Sequence, residues 1–328
     1  MNKLSIYTLK VLRKIASIIK VRVKNAQSFD SIQNATLASQ IIYEALVSDK
    51  PCMIARFGST ELLCLKNYLG VKNNKGKYLD YICGKAQPWW WELNIINQMQ
   101  QWSGFFPANK DKIEKFCELM IQDIPEVDIL GSWLADEELF EKELKNAEKI
   151  HLRLLEPYWS DAPWSRALEG KKVLVVHPFA KEIEQQYQKR ELLFKNGILP
   201  NFELITIKAV QSLAEEETEF KDWFEALEYM KGEIDKVDYD ICLIGCGAYG
   251  FPLAAHVKRM GKKGFHYGGA LQLLFGIRGK RWEDPNYGVK VWEIPYGFYP
   301  NLMNEHWIRP TNIGKPQKAE IVEGACYW

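Results

Sequence analysis

The chain contains 328 residues, of which 47% are hydrophobic and 26% are charged, and its formal net charge is +1 at neutral pH. These values are typical of a globular protein with a sizeable core, and the near-zero net charge gives no reason to expect a nucleic-acid partner. Seven cysteines are present but none forms a C-x-x-C pair, which argues against a zinc site or disulfide framework and favours a reducing cytoplasm.

The N-terminal segment, residues 1–29, is rich in bases and contains no acidic residue before Asp30. On a helix at about 100° per residue, most of its apolar side chains share one face and most of its bases share the other. This pattern predicts a basic amphipathic helix that is too interrupted by charge to span a bilayer. We expect residues 1–25 to lie on the anionic inner face of the cytoplasmic membrane, which would make the protein cytoplasmic and peripheral. The alternative is a helix that packs on its own domain or on a dimer partner.

The first motif is a strand, a turn and a helix. The apolar run that starts at Cys52 predicts a short buried strand that ends at Arg56 and Gly58. Ser59 is suited to cap the following helix, with Glu61 in its first turn. Open α/β sheets bind ligands at the carboxyl ends of their strands, so Arg56, Gly58 and Ser59 are candidates for binding phosphate. Glu61 is a candidate catalytic base, a ligand for a divalent metal, or a partner of Arg56.

The middle of the chain supplies aromatic candidates for an acceptor site. Three tryptophans are adjacent at positions 89–91 and cannot all face one core, so we expect Trp90 to line a groove. A second aromatic segment, residues 156–164, contains Asp161 and Trp164. Trp164 can stack on a sugar, and Asp161 can serve as the base that activates an acceptor hydroxyl. A membrane edge or a partner surface is the alternative for Trp90, and packing within the core is the alternative for Trp164.

Strands and helices alternate in the second half of the chain. Residues 172–177, 202–208 and 241–244 are apolar runs that predict buried strands, and helical patterns lie between them. This alternation predicts an α/β protein with a Rossmann-like, mainly parallel sheet and helices on both faces.

A glycine-rich turn follows the strand at 241–244. Glycines allow close approach of the backbone to a ligand, and the start of the next helix attracts phosphate. We therefore expect Gly245, Gly247 and Tyr249 to bind a nucleotide, with a structural tight turn as the alternative. A dehydrogenase is disfavoured, because the first acid after this turn is Glu283 rather than one about twenty residues on.

The next segment contains further candidates. His266 ends a predicted strand and is a candidate catalytic residue, although a structural histidine is the alternative. Gly268 and Gly269 form another glycine entry to a helix. The basic residues that follow, Arg278, Lys280 and Arg281, are suited to bind phosphate, with a solvated basic loop as the alternative.

Two of these motifs resemble a known family. Arg56-Phe-Gly-Ser-Thr-Glu61 resembles the Arg-x-Gly-Asp-x-Glu signature of the GT-D type bacterial glycosyltransferases, which have a Rossmann-like fold. The glycine turn at 245–250, followed by the Gly-Lys strand at 261–269, is similar to the later part of that family. The resemblance covers residues 51–282 in the order of elements. Ser59 stands where the family has an Asp, and His266 stands where many relatives have an acid.

The resemblance implies transfer of a sugar from a nucleotide diphosphate sugar, expected to be UDP-linked, to a glycan, glycoprotein or lipid-linked acceptor in bacterial surface polysaccharide assembly. It also implies Mn²⁺ or Mg²⁺ at the acidic pair, a dependence that the loss of one acid at Ser59 weakens. The expected division is a helix at 1–29, a glycosyltransferase domain at 30–290 and an irregular C-terminal segment at 291–328. The alternatives are an S-adenosylmethionine-dependent methyltransferase and a non-catalytic glycan-binding protein.

Overall fold

The computed structural model describes residues 3–19, 30–212, 218–311, 318–321 and 324–328. Seven strands form one sheet: β1 Cys52–Ala55, β2 Ile129–Ser132, β3 Glu148–His151, β4 Lys172–His177, β5 Glu203–Lys208, β6 Ile241–Ile244 and β7 Lys263–His266. The helices are α1 Lys3–Ile19, α2 Ala35–Val47, α3 Ser59–Asn73, α4 Tyr78–Ile82, α5 Leu93–Ser103, α6 Lys110–Asp123, α7 Ala180–Tyr187, α8 Arg190–Leu193, α9 Trp223–Asp235, α10 Gly250–Arg259, α11 Leu271–Leu274, α12 Lys280–Glu283, α13 Val289–Trp292 and α14 Phe298–Leu302.

The sheet has the strand order β3-β2-β1-β7-β6-β4-β5, and every neighbouring pair is parallel. The inner strand β1 pairs with β2 through Ile54 and Ile129, and with the central strand β7 through Ile54 and Phe265. The central strands are buried on both faces, which is why they are continuous apolar runs in the sequence. The predicted α/β fold with a parallel sheet is confirmed.

Each face of the sheet carries its own hydrophobic core. Successive residues of a strand point to opposite faces, so Met53 and Ala55 join one core while Cys52 and Ile54 join the other. Helices α3, α6, α9 and α10 contribute buried residues to the first core, and α2, α7 and the C-terminal segment contribute to the second. The sheet is therefore covered on both sides, and its strand ends remain as the edge where a ligand can enter.

Side-chain caps fix the beginnings of several helices. Asn34, Asn109 and Asp222 each accept a hydrogen bond from the backbone N–H three residues later, at the starts of α2, α6 and α9. The predicted cap at Ser59 is wrong, because Gly58 occupies the N-cap position and Ser59 is already the first helical residue.

The C-terminal segment returns to the sheet. Ile308 forms an isolated parallel bridge with Ile277, and Trp307 and Trp328 are buried in the second core. The side-chain amide of Gln272 donates a hydrogen bond of 3.2 Å to the carbonyl of Tyr327. The expected wrap at 291–328 thus contains the helix α14 as well as irregular chain, and its last residues lie beside the strand ends.

Helix α1 packs on the segment that contains α4 and the three tryptophans. Leu9 is buried with Tyr81 and Trp90, and Lys10 forms an ion pair of 2.5 Å with Glu92. Arg13 donates a hydrogen bond of 3.1 Å to the carbonyl of Ala86. The predicted single apolar face is thus divided, since Leu9 points to the domain whereas other apolar side chains of α1 are exposed.

The exposed apolar residues of α1 are Leu4, Tyr7, Val11, Leu12 and Ile15. Residues 20–29 of the predicted helix, which include the last bases of the segment, lie outside the described residues. Within the described residues, no helix has both the length and the apolar character needed to cross a bilayer.

Candidate functional site

A cavity of about 180 Å³ lies at the carboxyl edge of the sheet. Residues that follow β1, β2, β4, β6 and β7 line it, together with residues after β5 and at the end of α5. The chain leaves β4 toward β5 at the sheet edge and leaves β6 in the opposite direction, toward β7. Such a reversal opens a crevice between neighbouring strand ends and is the usual ligand site of open α/β sheets.

Arg56 is the first residue after β1 and lines this cavity. Its guanidinium lies 5.1 Å from the ring centroid of Trp133, and its buried Nε has no hydrogen-bond partner within the described residues. Burial lowers the pKa of Arg56 and the charge of Glu61 opposes this shift. A guanidinium nevertheless remains charged at neutral pH, so Arg56 is a cation held at the cavity wall.

Glu61 and Ser59 also line the cavity, in the first turn of α3. The Glu61 carboxylate lies directly over Gly58: a Cβ built at Gly58 would be only 1.7 Å from Oε2 of Glu61. The absence of a side chain at position 58 therefore makes room for this carboxylate. The charge of Glu61 acts on Arg56, and among the residues that the structure describes no group of three or more His, Cys, Asp or Glu is arranged to bind a metal. Glu61 is thus a single carboxylate, which does not fit a centre for Mn²⁺ or Mg²⁺ built by the protein alone.

The turn after β6 brings backbone to the cavity. A Cβ at Gly245 would lie 2.8 Å from the carbonyl oxygen of Gly268, so only glycine fits between these strand ends. Gly247 has a φ of 57°, a backbone conformation that residues with a side chain rarely adopt. Tyr249 lines the cavity as well, but its ring stacks on Trp223 at 4.9 Å, which indicates a supporting role in the wall.

Two buried histidines face the cavity. His266 is the last residue of β7, and its Nδ1 has no hydrogen-bond partner within the described residues. His177 ends β4, and its Nδ1 accepts a hydrogen bond of 3.0 Å from the backbone N–H of Phe179, which places the ring proton on Nε2. Burial lowers the pKa of each to about 3, and the charge of Arg56 adds to the effect on His266. Both imidazoles are therefore neutral at physiological pH.

The three predicted basic residues have different positions. Arg281 lines the cavity, and its guanidinium lies 4.8 Å from the ring centroid of Tyr327. Arg278 instead donates a hydrogen bond of 2.7 Å to the carbonyl of Asn304 and holds the C-terminal segment. Lys280 is exposed and donates to the carbonyl of Gly324. The structure thus brings Arg281 to the site with Arg56, whereas Arg278 and Lys280 do not line it.

The residues expected at an acceptor site also lie elsewhere. Trp164 is fully buried, donates to the carbonyl of Leu155 and packs on Phe265 at 5.0 Å, so it fills the core. Trp90 is buried beneath α1, and its indole N–H donates to Glu92. Asp161 is exposed and lines neither this cavity nor the one beside it. The aromatic segments therefore supply packing at these positions.

A second cavity of about 100 Å³ adjoins the first. The two cavities share lining residues, which are Arg56, Trp133, Gly269, Arg281 and Tyr327. The second cavity extends from this boundary to the buried carboxyl group of Glu156, which accepts a hydrogen bond of 2.8 Å from the hydroxyl of Tyr299. Aromatic side chains form a large part of its walls, and most of them come from the C-terminal third of the chain.

Several residues that line the two cavities are not among those predicted from the sequence. His177 is the last residue of β4, and Trp133 directly follows β2 in the same parallel sheet. Their positions at the carboxyl ends of predicted strands could have indicated that they line the site. Gly268 and Gly269, which were assigned, do line the first cavity. Tyr327 comes from the far end of the chain, and no local pattern places it beside Gly269.

No protein-family model, curated protein or solved structure matches the chain. The likeness to the GT-D type glycosyltransferases therefore rests on the short motifs at residues 56–61 and 245–269 and stays a prediction.

Proposed function

We propose that the first cavity binds a nucleoside diphosphate sugar, with UDP as the nucleotide, and that the protein transfers the sugar to a carbohydrate or lipid-linked acceptor. The observation that carries this proposal is the convergence of Arg56, Arg281 and the glycine turns after β6 and β7 on one cavity. Arginines bind phosphate oxygens through paired N–H donors, and glycine turns let backbone approach a phosphate closely.

The charge of the cavity supports an anionic ligand. Among the described residues that line it, Arg56 and Arg281 are cationic, Glu61 is the acid, and the two histidines are neutral. The two guanidinium groups outnumber the one side-chain carboxylate, and this excess favours a diphosphate as the ligand. S-adenosylmethionine carries a cationic sulfonium, so the same charge disfavours the methyltransferase alternative.

In the proposed reaction, an acceptor hydroxyl oxygen forms a bond to the anomeric carbon while the bond from that carbon to the β-phosphate oxygen breaks. The diphosphate leaves with the bonding electrons, and Arg56 and Arg281 stabilise its growing charge. The hydroxyl proton passes to a base. Glu61 is the better candidate, because a pKa of about 3 makes His266 a weak proton acceptor near neutral pH. His266 then serves as a neutral hydrogen-bonding group.

Calorimetric titration of the full chain with UDP, a UDP-sugar and S-adenosylmethionine tests this proposal. We expect UDP to bind, and we expect Arg56→Ala and Arg281→Ala each to weaken binding about tenfold or more, because a hydrogen bond to a charged group contributes about 1.5 to 3 kcal/mol. Lys280→Ala is the matched control, since its exposed side chain lies outside both cavities.

Preferential binding of S-adenosylmethionine, or UDP binding that neither arginine variant weakens, would contradict the proposal. UDP binding with no transfer and no slow hydrolysis of any UDP-sugar would instead favour the non-catalytic glycan-binding alternative.

The exposed apolar face of helix α1 supports a location of the protein at a membrane, where a lipid-linked acceptor would lie. Leu4, Tyr7 and Ile15 are 73%, 68% and 49% exposed, and the N-terminal 29 residues contain bases but no acid. Apolar burial together with attraction to anionic lipid is the mode of interfacial helices. We therefore propose that this exposed face lies on an anionic membrane surface.

Flotation with vesicles tests the location. We expect the full chain to float with vesicles containing phosphatidylglycerol and not with pure phosphatidylcholine, and we expect Leu4→Ser/Val11→Ser/Ile15→Ser to lower the floated fraction severalfold. Leu139→Ser/Leu192→Ser is the control, because these leucines are also exposed but lie in other elements. Equal flotation of both variants would contradict the proposed membrane contact of α1. A dimeric unaltered chain that becomes monomeric only in the triple variant would also contradict it, because the exposed face would then be a dimer interface.

A further inference from the structure

The second cavity has the chemistry of a site for a small hydroxylated ring. It adjoins the cationic boundary formed by Arg56 and Arg281, and its volume of about 100 Å³ is smaller than the 180 Å³ of the first cavity. A ligand whose diphosphate lies at the two arginines would have its nucleoside on one side and its smaller group on the other.

Aromatic rings form much of its wall. Trp292 lies edge-on to Trp133 at 6.1 Å and to Tyr287 at 5.6 Å, so these two rings hold the Trp292 indole in place. The guanidinium of Arg153 donates a hydrogen bond of 2.7 Å to the carbonyl of Trp292 and fixes the backbone at that point. Rigid aromatic faces with a few fixed polar groups are typical of small-ligand sites, and they suit the apolar face of a sugar ring.

Glu156 supplies the polar group of this cavity. Its carboxyl group is buried and accepts hydrogen bonds from the hydroxyl of Tyr299 and, at 3.2 Å, from the indole N–H of Trp159. Within the described part of the chain, no Lys, Arg or His lies within ion-pair distance of it. A carboxylate has about four acceptor positions, so this group retains capacity for ligand hydroxyls.

We infer that the second cavity holds the sugar ring of the nucleotide sugar, with Glu156 accepting hydrogen bonds from its hydroxyls and Trp292 covering its apolar face. This inference rests on the proposed function and adds the residues that select the sugar. Burial raises the pKa of Glu156 to about 7, against the hydrogen bonds from Tyr299 and Trp159, so hydroxyl donors from a ligand would offset part of the cost of its ionisation.

Comparison of UDP with UDP-sugars separates the two cavities. The affinities of UDP, UDP-glucose, UDP-galactose and UDP-N-acetylglucosamine are measured by calorimetry for the full chain, Glu156→Gln and Trp292→Leu. We expect one UDP-sugar to bind the unaltered chain best. Each variant should lower the affinity for that UDP-sugar at least fivefold and change the affinity for UDP less than twofold.

The controls are Glu169→Gln and Trp89→Leu, at positions that line neither cavity. Both should leave all the affinities unchanged. If Glu156→Gln does not fold, as judged by circular dichroism, Trp292→Leu decides, because its backbone carbonyl still accepts the hydrogen bond from Arg153.

The outcomes distinguish this inference from the proposed function. Normal UDP binding with an unchanged ratio between UDP and the UDP-sugars in the variants would overturn the sugar site alone, and Glu156 would then be a structural partner of Tyr299. Failure of the unaltered chain to bind UDP or any UDP-sugar would overturn both.

Discussion

The two adjoining cavities are built in different ways. Glycines at tight turns and neutral imidazoles at strand ends form much of the first cavity, where backbone from β6 and β7 approaches closely. Aromatic side chains and one buried carboxyl group form the second, in segments outside the regular sheet. The space in the first cavity therefore depends on the absence of side chains at its glycines. The shape and polarity of the second cavity depend on which side chains line it. Added atoms should damage the first cavity, and exchanged side chains should alter the selectivity of the second.

The largest expected effect comes from adding a methyl group to the first cavity. In Gly245→Ala, the new Cβ would lie 2.8 Å from both the carbonyl oxygen of Gly268 and Cδ2 of His177. Backbone on the neighbouring strand end cannot easily move away, so we expect a loss of about 1 to 3 kcal/mol of unfolding free energy, and loss of nucleotide binding. Urea unfolding and UDP titration measure the two effects.

Gly232→Ala is the matched control for this substitution. Gly232 lies in α9, and a Cβ there would meet no atom within 4 Å. Replacement of a helical glycine by alanine should stabilise the protein by about 0.5 to 1 kcal/mol. If Gly245→Ala were as stable as Gly232→Ala and still bound UDP, close backbone approach would not be what shapes the first cavity.

The second prediction concerns pH, because the two cavities should respond to it with opposite sign. The pKa of His177 is lowered to about 3 by burial, so the unfolded state binds the proton first as the pH falls below 6.5, and stability is lost toward acid. The pKa of Glu156 is raised to about 7, so the unfolded state releases its proton first as the pH rises above 4.5, and stability is lost toward pH 7.

Urea unfolding from pH 5 to 7.5 checks this difference. Relative to the unaltered chain, Glu156→Gln should gain about 2 kcal/mol of stability as the pH rises through this range, since one pKa unit corresponds to about 1.4 kcal/mol. His177→Asn should show the reverse trend, with a relative gain as the pH falls from 6.5 to 5. Parallel curves for all three chains would mean that neither group changes its protonation on unfolding.

The smallest expected effect is that of Tyr249→Phe. The Tyr249 hydroxyl forms a hydrogen bond of 3.2 Å with Ser212, and the ring stacks on Trp223 in the wall of the first cavity. Loss of one hydrogen bond should cost about 1 kcal/mol of stability and leave the affinity for UDP unchanged. A large loss of UDP affinity without a loss of stability would instead show that the hydroxyl contacts the ligand, as the sequence pattern predicted.

The sequence alone was sufficient for the fold class and for the edge of the sheet that carries the site. Apolar runs such as Ile241–Ile244, alternating with helical patterns, predicted a parallel sheet, because strands buried on both faces cannot alternate apolar with polar residues. Parallel strands place their carboxyl ends together, and for this reason Arg56, Gly245 and His266 line one cavity although they are far apart in the chain.

Only the tertiary structure decided which side chains outside the strands reach the cavities. Arg278, Lys280 and Arg281 are nearly adjacent in sequence, yet only Arg281 of these three lines the site, because Arg278 pairs with the returning C-terminal segment. Trp164 belongs to the core and Glu156 to a cavity, although both lie in one short segment. The direction of a side chain in irregular structure depends on contacts with distant parts of the chain, such as Tyr299 with Glu156, and local periodicity carries no information about such contacts.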